Sequence, residues 1–310
     1  MTIKPLPKWV ILGGTGFFSF VFFFYMSFPF EILKETVSSQ LSSASKMQIE
    51  IAELSPRFPL GIRIKGFQIR TQQGSALALN QVDVRVSLLK LFLGKLGLGL
   101  ALEDAGSGEL DLDLSFSLLS FLSDSPIPSY IGLEADQFSL DELVNFFLKG
   151  LGQTPGTNVL LKPVLEAFAL KGKLSGGVSL YLDATDPGRS SGEGELLVKG
   201  AELLIKDPSM PIPNQTFEKA SVKIVLKEGN LQLDPSSGLK SHDLDITFGG
   251  RITQRPQVTF DLLVGVVLQN KLKDQFGWLL ETVGSKGASQ GRVDIHVGGN
   301  VLDGPTINVL

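Results

Sequence analysis

Residues 9–30, WVILGGTGFFSFVFFFYMSFPF, form a run without a single charge, rich in Phe, Val, Ile and Leu. About 20 apolar residues at ~1.5 Å each cross a ~30 Å hydrocarbon layer, so this pattern predicts a transmembrane helix. Trp9 and Tyr25 lie toward its two ends, where amphipathic rings favour the interface. Lys4 and Lys8 precede the run, whereas Glu31, Lys34 and Glu35 follow it and nearly cancel. The positive-inside rule then places residues 1–8 in the cytoplasm and the chain after the span on the opposite side. A cleaved signal peptide has an apolar core of only ~7–15 residues and a small-residue cleavage site. This run is longer and ends in Pro29-Phe30-Glu31, which reads as an uncleaved anchor.

After residue 30 the period changes twice. Over residues 31–46, Leu33, Val37 and Leu41 recur every four residues, with serines and charges on the other side. That spacing predicts a juxtamembrane helix, which Pro29 either kinks or opens. From Met47 the period becomes two. Ile49 and Ile51, Ile62 and Ile64, Val82, Val84 and Val86, and Leu98, Leu100 and Leu102 alternate with polar residues, glycine or alanine. ELDLDLSFS is the clearest case: Leu110, Leu112, Leu114 and Phe116 face one way, and Glu109, Asp111, Asp113 and Ser115 the other. Such alternation marks antiparallel strands with one apolar face. A helix follows, carrying Leu140, Leu143, Val144, Phe147, Leu148 and Leu151, with Ser139 and Glu142 at capping-box spacing. The Gly/Pro/Thr-rich stretch near residues 152–160 is a loop and a candidate sub-boundary. Strands resume at Val178–Leu180–Leu182, 196–198, 203–205 and 222–226, the last joined to Leu231 and Leu233 by the turn Glu228-Gly229-Asn230. Further strands run from Leu244 to Phe248, ending at Gly249-Gly250, and from Val258 to Leu262. A helix with Leu272, Phe276, Leu279, Leu280 and Val283 precedes a closing strand at Val293, Ile295 and Val297.

The expected fold is mainly β (α+β): an N-terminal transmembrane helix followed, over residues 47–310, by a curved, partly rolled antiparallel sheet with a few amphipathic helices. The strands are too one-sided and numerous for a parallel α/β fold. An outer-membrane barrel would need strands of ~9–11 residues with aromatic girdles, and aromatic residues are sparse here.

Composition narrows the chemistry. Net charge is −4, with no strongly basic stripe, so no nucleic-acid partner is expected. There are no cysteines and only two histidines, His242 and His296, which removes disulfides, thiolate chemistry and most metal constellations. His242 in KSHDLDITF invites a metal reading with Asp243 and Asp245, but alternation makes it the solvated start of a strand. His296 points to the polar side of the closing strand. Gly13, Gly14 and Gly16 mimic a dinucleotide-binding turn, yet the sequence that follows is apolar on every side. GKLSGG at residues 172–177 lacks the spacing of a nucleophile elbow and reads as a flexible turn. Asn214-Gln215-Thr216 is a formal glycosylation sequon in a Pro/Asn-rich loop. No catalytic, cofactor-binding or metal-binding residue is assigned, and no enzyme activity is expected. The apolar sheet face fits a groove for acyl chains and fits a covered core equally well, so phospholipid stands as a candidate ligand.

FPLGIRIKGFQIR at residues 58–70 and LALNQVDVRVSLLKLFLGKLGLGL at residues 77–100, placed after an N-terminal anchor, resemble the opening of AsmA-like proteins. DLDITFGGRI at residues 243–252, the helix near Trp278, and GRVDIHVGGNVLDGPTI at residues 291–307 look like the type II secretion system protein N (GspN) family. The resemblance implies an accessory inner-membrane component of the type II protein secretion machinery of a Gram-negative bacterium, with a periplasmic interaction domain and other secretion-system proteins as partners. The AsmA-like likeness implies an alternative role in periplasmic lipid binding or transfer through an apolar β-groove.

Overall fold

The period-two runs build one antiparallel sheet. The computed structural model describes residues 16, 19, 23, 27, 29–45, 47–58, 60–70, 76–106, 108–118, 127–141, 143–144, 146, 168–183, 185–205, 213–253, 259–282, 287–300 and 304–310. The strands of the N-terminal half are β1 (Gln48–Arg57), β2 (Gly61–Arg70), β3 (Ala76–Ser87), β4 (Lys95–Glu103), β5 (Glu109–Ser117), β6 (Tyr130–Ser139), β7 (Phe168–Tyr181) and β8 (Ser191–Ile205). They continue with β9 (Gln215–Thr216), β10 (Lys219–Lys227), β11 (Asn230–Leu233), β12 (Gly238–Lys240), β13 (Leu244–Thr253), β14 (Thr259–Leu268), β15 (Arg292–Asn300) and β16 (Gly304–Val309). Nearly every strand pairs with its neighbour in sequence, in the order β1 to β8, β10, β11, β13 to β16, with β9 beside β8 and β12 between β10 and β13. The fold class is therefore mainly β with few helices, as the alternation predicts. Short connections between antiparallel neighbours suffice for such a meander.

The N-terminal run at residues 9–30 lies largely outside the described residues; Gly16, Ser19 and Phe23 are helical and exposed. Among the described residues no helix is long and apolar enough to cross a membrane. Helix α1 (Phe30–Ser45) opens just after Pro29, whose carbonyl accepts from the Leu33 amide at 3.2 Å. Leu33 packs on the sheet, and the serines do not simply face water. Ser38 donates its hydroxyl to the Ile49 carbonyl at 2.6 Å, and the Ile49 amide donates to Ser42 at 3.1 Å. Helix α1 thus occupies hydrogen-bonding groups on the outer edge of β1 that would otherwise invite another strand.

The contacts of α1 also fix its direction. Its later residues, Ser38 and Ser42, meet Ile49, while Lys34 reaches the Ala52 carbonyl farther along β1. Helix and strand therefore run antiparallel, and Phe30 lies toward the sheet end that carries the β1–β2, β3–β4, β5–β6 and β7–β8 connections. That end is called the near end and the opposite one the far end. The five-residue helix α2 (Leu88–Phe92) sits in the β3–β4 connection at the near end. At the far end, α3 (Asn270–Thr282) joins β14 to β15 and buries Leu272 and Phe276.

Four sequence expectations need correction. GKLSGG is not a turn but the interior of β7, where Gly172 and Gly176 adopt φ of 141° and 121° and a bulge lies between Lys171 and Lys173. Strand β6 was not expected: Gln137, at φ 53°, shifts the alternation by one, so Phe138 rather than residue 137 continues the apolar face. Strand β13 runs through Gly249-Gly250 to Thr253. The sheet also continues past β15 into β16. The loop near 152–160 lies outside the described residues; β6 and β7, which flank it, pair directly.

Candidate apolar binding face

Register aligns apolar positions from strand to strand. One row passes through Pro56, Ile62, Val84, Leu100, Leu112, Leu133, Val178, Gly194, Ile224, Leu233, Gly250, Leu262, Val297 and Ile307, crossing every strand of the main path. It contains no polar side chain. The row beside it, from Val86 through Leu98, Leu114, Ile131 and Leu180 to Leu226, Leu231, Ile252 and Phe260, is apolar or glycine throughout. At the usual ~4.8 Å between strands, fourteen strands carry this face across about 62 Å.

Among the described residues, helices cover only parts of it. In the N-terminal half, Phe30 and Leu33 of α1, with Leu143, pack on Leu54, Ile64, Leu79, Val82 and Phe138. In the C-terminal half, Leu272 and Phe276 of α3 pack with Ala201, Phe217, Ala220 and Leu244. Leu98, Leu112, Leu114, Ile131, Leu133 and Leu180 belong to neither cluster and are half-buried. No protein-family model, curated protein or solved structure matches this chain. The geometry of this face therefore carries the functional reading.

Glycines shape the middle of the face. An added Cβ at Gly194 would lie 2.4 Å from the Val178 Cα, and one at Gly192 2.3 Å from the Ser179 carbonyl oxygen. Each glycine lets β8 approach β7 more closely than a side chain would permit.

The opposite face is polar. Asp83, only 3% exposed, is held by Arg57, by Arg63 at 2.9 and 3.1 Å, and by Gln81 at 3.0 Å. This carboxylate hydrogen bond is the main cause that raises the Arg63 pKa above its usual value. Arg85 pairs with Asp111 at 2.7 Å. Farther across, a hollow of about 480 Å³ is lined by Asp111, Asp113, Tyr130, Glu134, Asp136 and Ser179. No group of three or more His, Asp or Glu residues placed to hold a metal occurs among the described residues.

The structure separates the two histidines. His242 is highly exposed, just before β13, and its carbonyl accepts from Asn270 at 2.7 Å. His296 lies on the polar face of β15, as the alternation predicts, with Nε2 3.0 Å from Asp261 Oδ1. That hydrogen bond, aided by Arg251, holds the Asp261 carboxyl below the usual carboxylate range. Asn214 accepts from the Ile205 amide at 3.1 Å and so ties down the end of β8. Sequence reasoning missed Asp104, which is 6% exposed. Its Oδ1 accepts from the Gly106 and Gly108 amides at 2.7 and 2.8 Å, and Oδ2 from the Ser139 amide, locking the β4–β5 turn to the end of β6. The Asp-x-Gly-x-Gly spacing is the one local signal for that clamp.

Proposed function

We propose that this chain is a single-pass inner-membrane protein with a periplasmic sheet that holds phospholipid acyl chains on its apolar face, in a binding rather than catalytic role. The observation that supports this reading is the uninterrupted apolar row across the sheet, with leucines in β4 to β7 that are only half-buried. A flexible hydrocarbon chain needs no directional partner and gains ~0.8 kcal/mol for each methylene removed from water, which suits a continuous face without polar interruptions. Native mass spectrometry of the full chain, purified from membranes in mild detergent, tests it. Co-purifying phospholipid in excess of that carried by an unrelated single-pass protein is the expected result. Its absence, with the sheet intact, would refute the reading.

A second reading is the accessory secretion role, with the sheet docking other secretion-system proteins. It is favoured by the outer edge of β16, which among the described residues pairs only through its other side, to β15. An extended segment of a partner chain could add there as a further strand. Capture of secretion components by the intact protein, and impaired export in a deletion strain, are its expected results. Normal export together with no association would remove it.

A further inference from the structure

The near end of the sheet is not uniform. Phe58 in the β1–β2 connection is 73% exposed, and Leu89 and Leu93 around α2 are 73% and 72% exposed. Leu118, after β5, and Ile127, before β6, add 45% and 41%. Backbone hydrogen bonds join these connections into one rim: the Val86 amide donates to the Leu60 carbonyl at 2.8 Å, and the Leu118 amide to the Gly94 carbonyl at 3.2 Å. Farther along the same end the connections become polar. Residues 185–190 carry Asp186 and Arg189, and the β10–β11 turn carries Glu228 and Asn230. Among the described residues of this end, Phe58 and the exposed aliphatic side chains thus lie over β1 to β6, a width of about 24 Å at ~4.8 Å per strand, with the exposed Tyr181 at the end of β7 beside them.

Scattered exposed leucines need no explanation, but a contiguous fringe of large apolar side chains does. Two further observations specify what covers it. Helix α1 runs antiparallel to β1, so the chain preceding Phe30, which includes the uncharged run, reaches the fold at this same end. Residues 86–96, which contain α2, carry Lys90 and Lys95 and no acidic residue. Lys90 lies over the Tyr130 ring, 5.7 Å from its centroid, and donates to Ser115 at 2.8 Å. Apolar tips with lysines and a tyrosine behind them match the layering of a bilayer surface, hydrocarbon first and anionic headgroups next.

We infer that the rim made by Phe58, Leu89, Leu93, Leu118 and Ile127 seats in the surface of a phospholipid bilayer. The near end of the apolar rows then meets the membrane directly. The inference does not require that the face carry lipid, and its test reads position alone.

The chain has no cysteine, so single spin labels are introduced without background. Full-length Phe58→Cys, Leu89→Cys, Leu93→Cys and, as a control at the polar part of the same end, Arg189→Cys are labelled. Each is reconstituted into vesicles of phosphatidylethanolamine and phosphatidylglycerol. The labels at 58, 89 and 93 are expected to collide freely with oxygen and several-fold less with a water-soluble nickel chelate than the label at 189. Nickel collision equal to that at 189 would mean the rim stands in water and would overturn the inference. Low collision with both reagents would mean that protein covers the rim, and would overturn it equally. All four sites are exposed, so the substitutions leave the core intact, which the circular dichroism of each variant verifies.

Discussion

Leu112→Glu separates an occupied apolar face from an ordinary core surface. Leu112 stands in the row between Leu100 and Leu133, is half-buried, and belongs to neither helix-covered cluster. Full burial of a leucine stabilises a fold by about 1.5–3 kcal/mol, so losing one that is mostly but not fully buried costs about 1–2.5 kcal/mol. The sheet should survive. The cost to a bound acyl chain is larger. One ~4.8 Å strand spacing is spanned by about four methylenes, each worth ~0.8 kcal/mol on leaving water. A carboxylate that keeps this row hydrated therefore removes about 3 kcal/mol of binding, roughly a hundredfold in affinity. Asp113→Lys is the matched control, one residue along the same strand and on the opposite face. Displacement of a fluorescent fatty acid from the purified full chain reads both variants. Unchanged affinity for Leu112→Glu, with the circular dichroism of the wild type, would refute the reasoning. So would an equal loss for Asp113→Lys.

Other expectations rest on single contacts. Asp104→Ala strands the buried Gly108 amide and removes the acceptor of the Gly106 and Ser139 amides, so denaturant unfolding should show a loss of about 3 kcal/mol. Gly194→Ala drives a methyl group into the Val178 backbone and should cost about 1–3 kcal/mol in the same measurement, whereas Gly277→Ala, with open space at the Cβ position, should not destabilise. Because the folded-state pKa of Asp261 is depressed, its contribution to stability is present above the unfolded carboxylate pKa and is lost as pH falls through the folded value. His296→Ala removes the principal cause, so the Asp261 carboxyl, followed by carbon-13 NMR, should titrate closer to the usual carboxylate range.

Much of the sheet is legible in local alternation, because antiparallel strands with one apolar face impose a period of two. Strands β1 to β5 and the hairpin at Glu228-Gly229 are read directly. Strand β6 escapes because the left-handed Gln137 inserts a residue into the pattern, and no periodicity template allows for that. Strand β7 escapes because glycines that mark turns elsewhere serve here as close-approach positions: a Cβ on Gly176 would stand 2.2 Å from the Glu195 carbonyl oxygen. Asp83 shows the limit of alternation on the polar face. Its position in β3 marks a solvated side chain, yet Arg57 and Arg63, distant in sequence, fold over it and leave it buried. The candidate site itself is only half visible. Each strand announces an apolar side, but the row that crosses all of them depends on register between neighbours, and register is a property of pairs rather than of any one segment.

A sheet with one apolar face ordinarily needs a second layer along its whole width. Among the described residues α1 and α3 cover two patches, and Leu98, Leu112, Leu114 and Leu133 of β4 to β6, between them, are half-buried. An apolar surface left in water is an invitation to aggregate, and so is an unblocked sheet edge. The structure blunts one of its two edges: the Ser38 and Ser42 hydroxyls and Lys34 take up edge groups of β1, whereas β16 pairs only with β15 among the described residues. Burying the middle leucines would have required only a longer helical layer of the kind already present at either side. Their partial exposure between two covered patches suits a face with an occupant, since a covering layer would compete with a ligand for the same methylene contacts. Two helix-covered patches flanking a band of half-buried apolar residues thus suit the proposed surface that binds hydrocarbon better than a uniformly covered core.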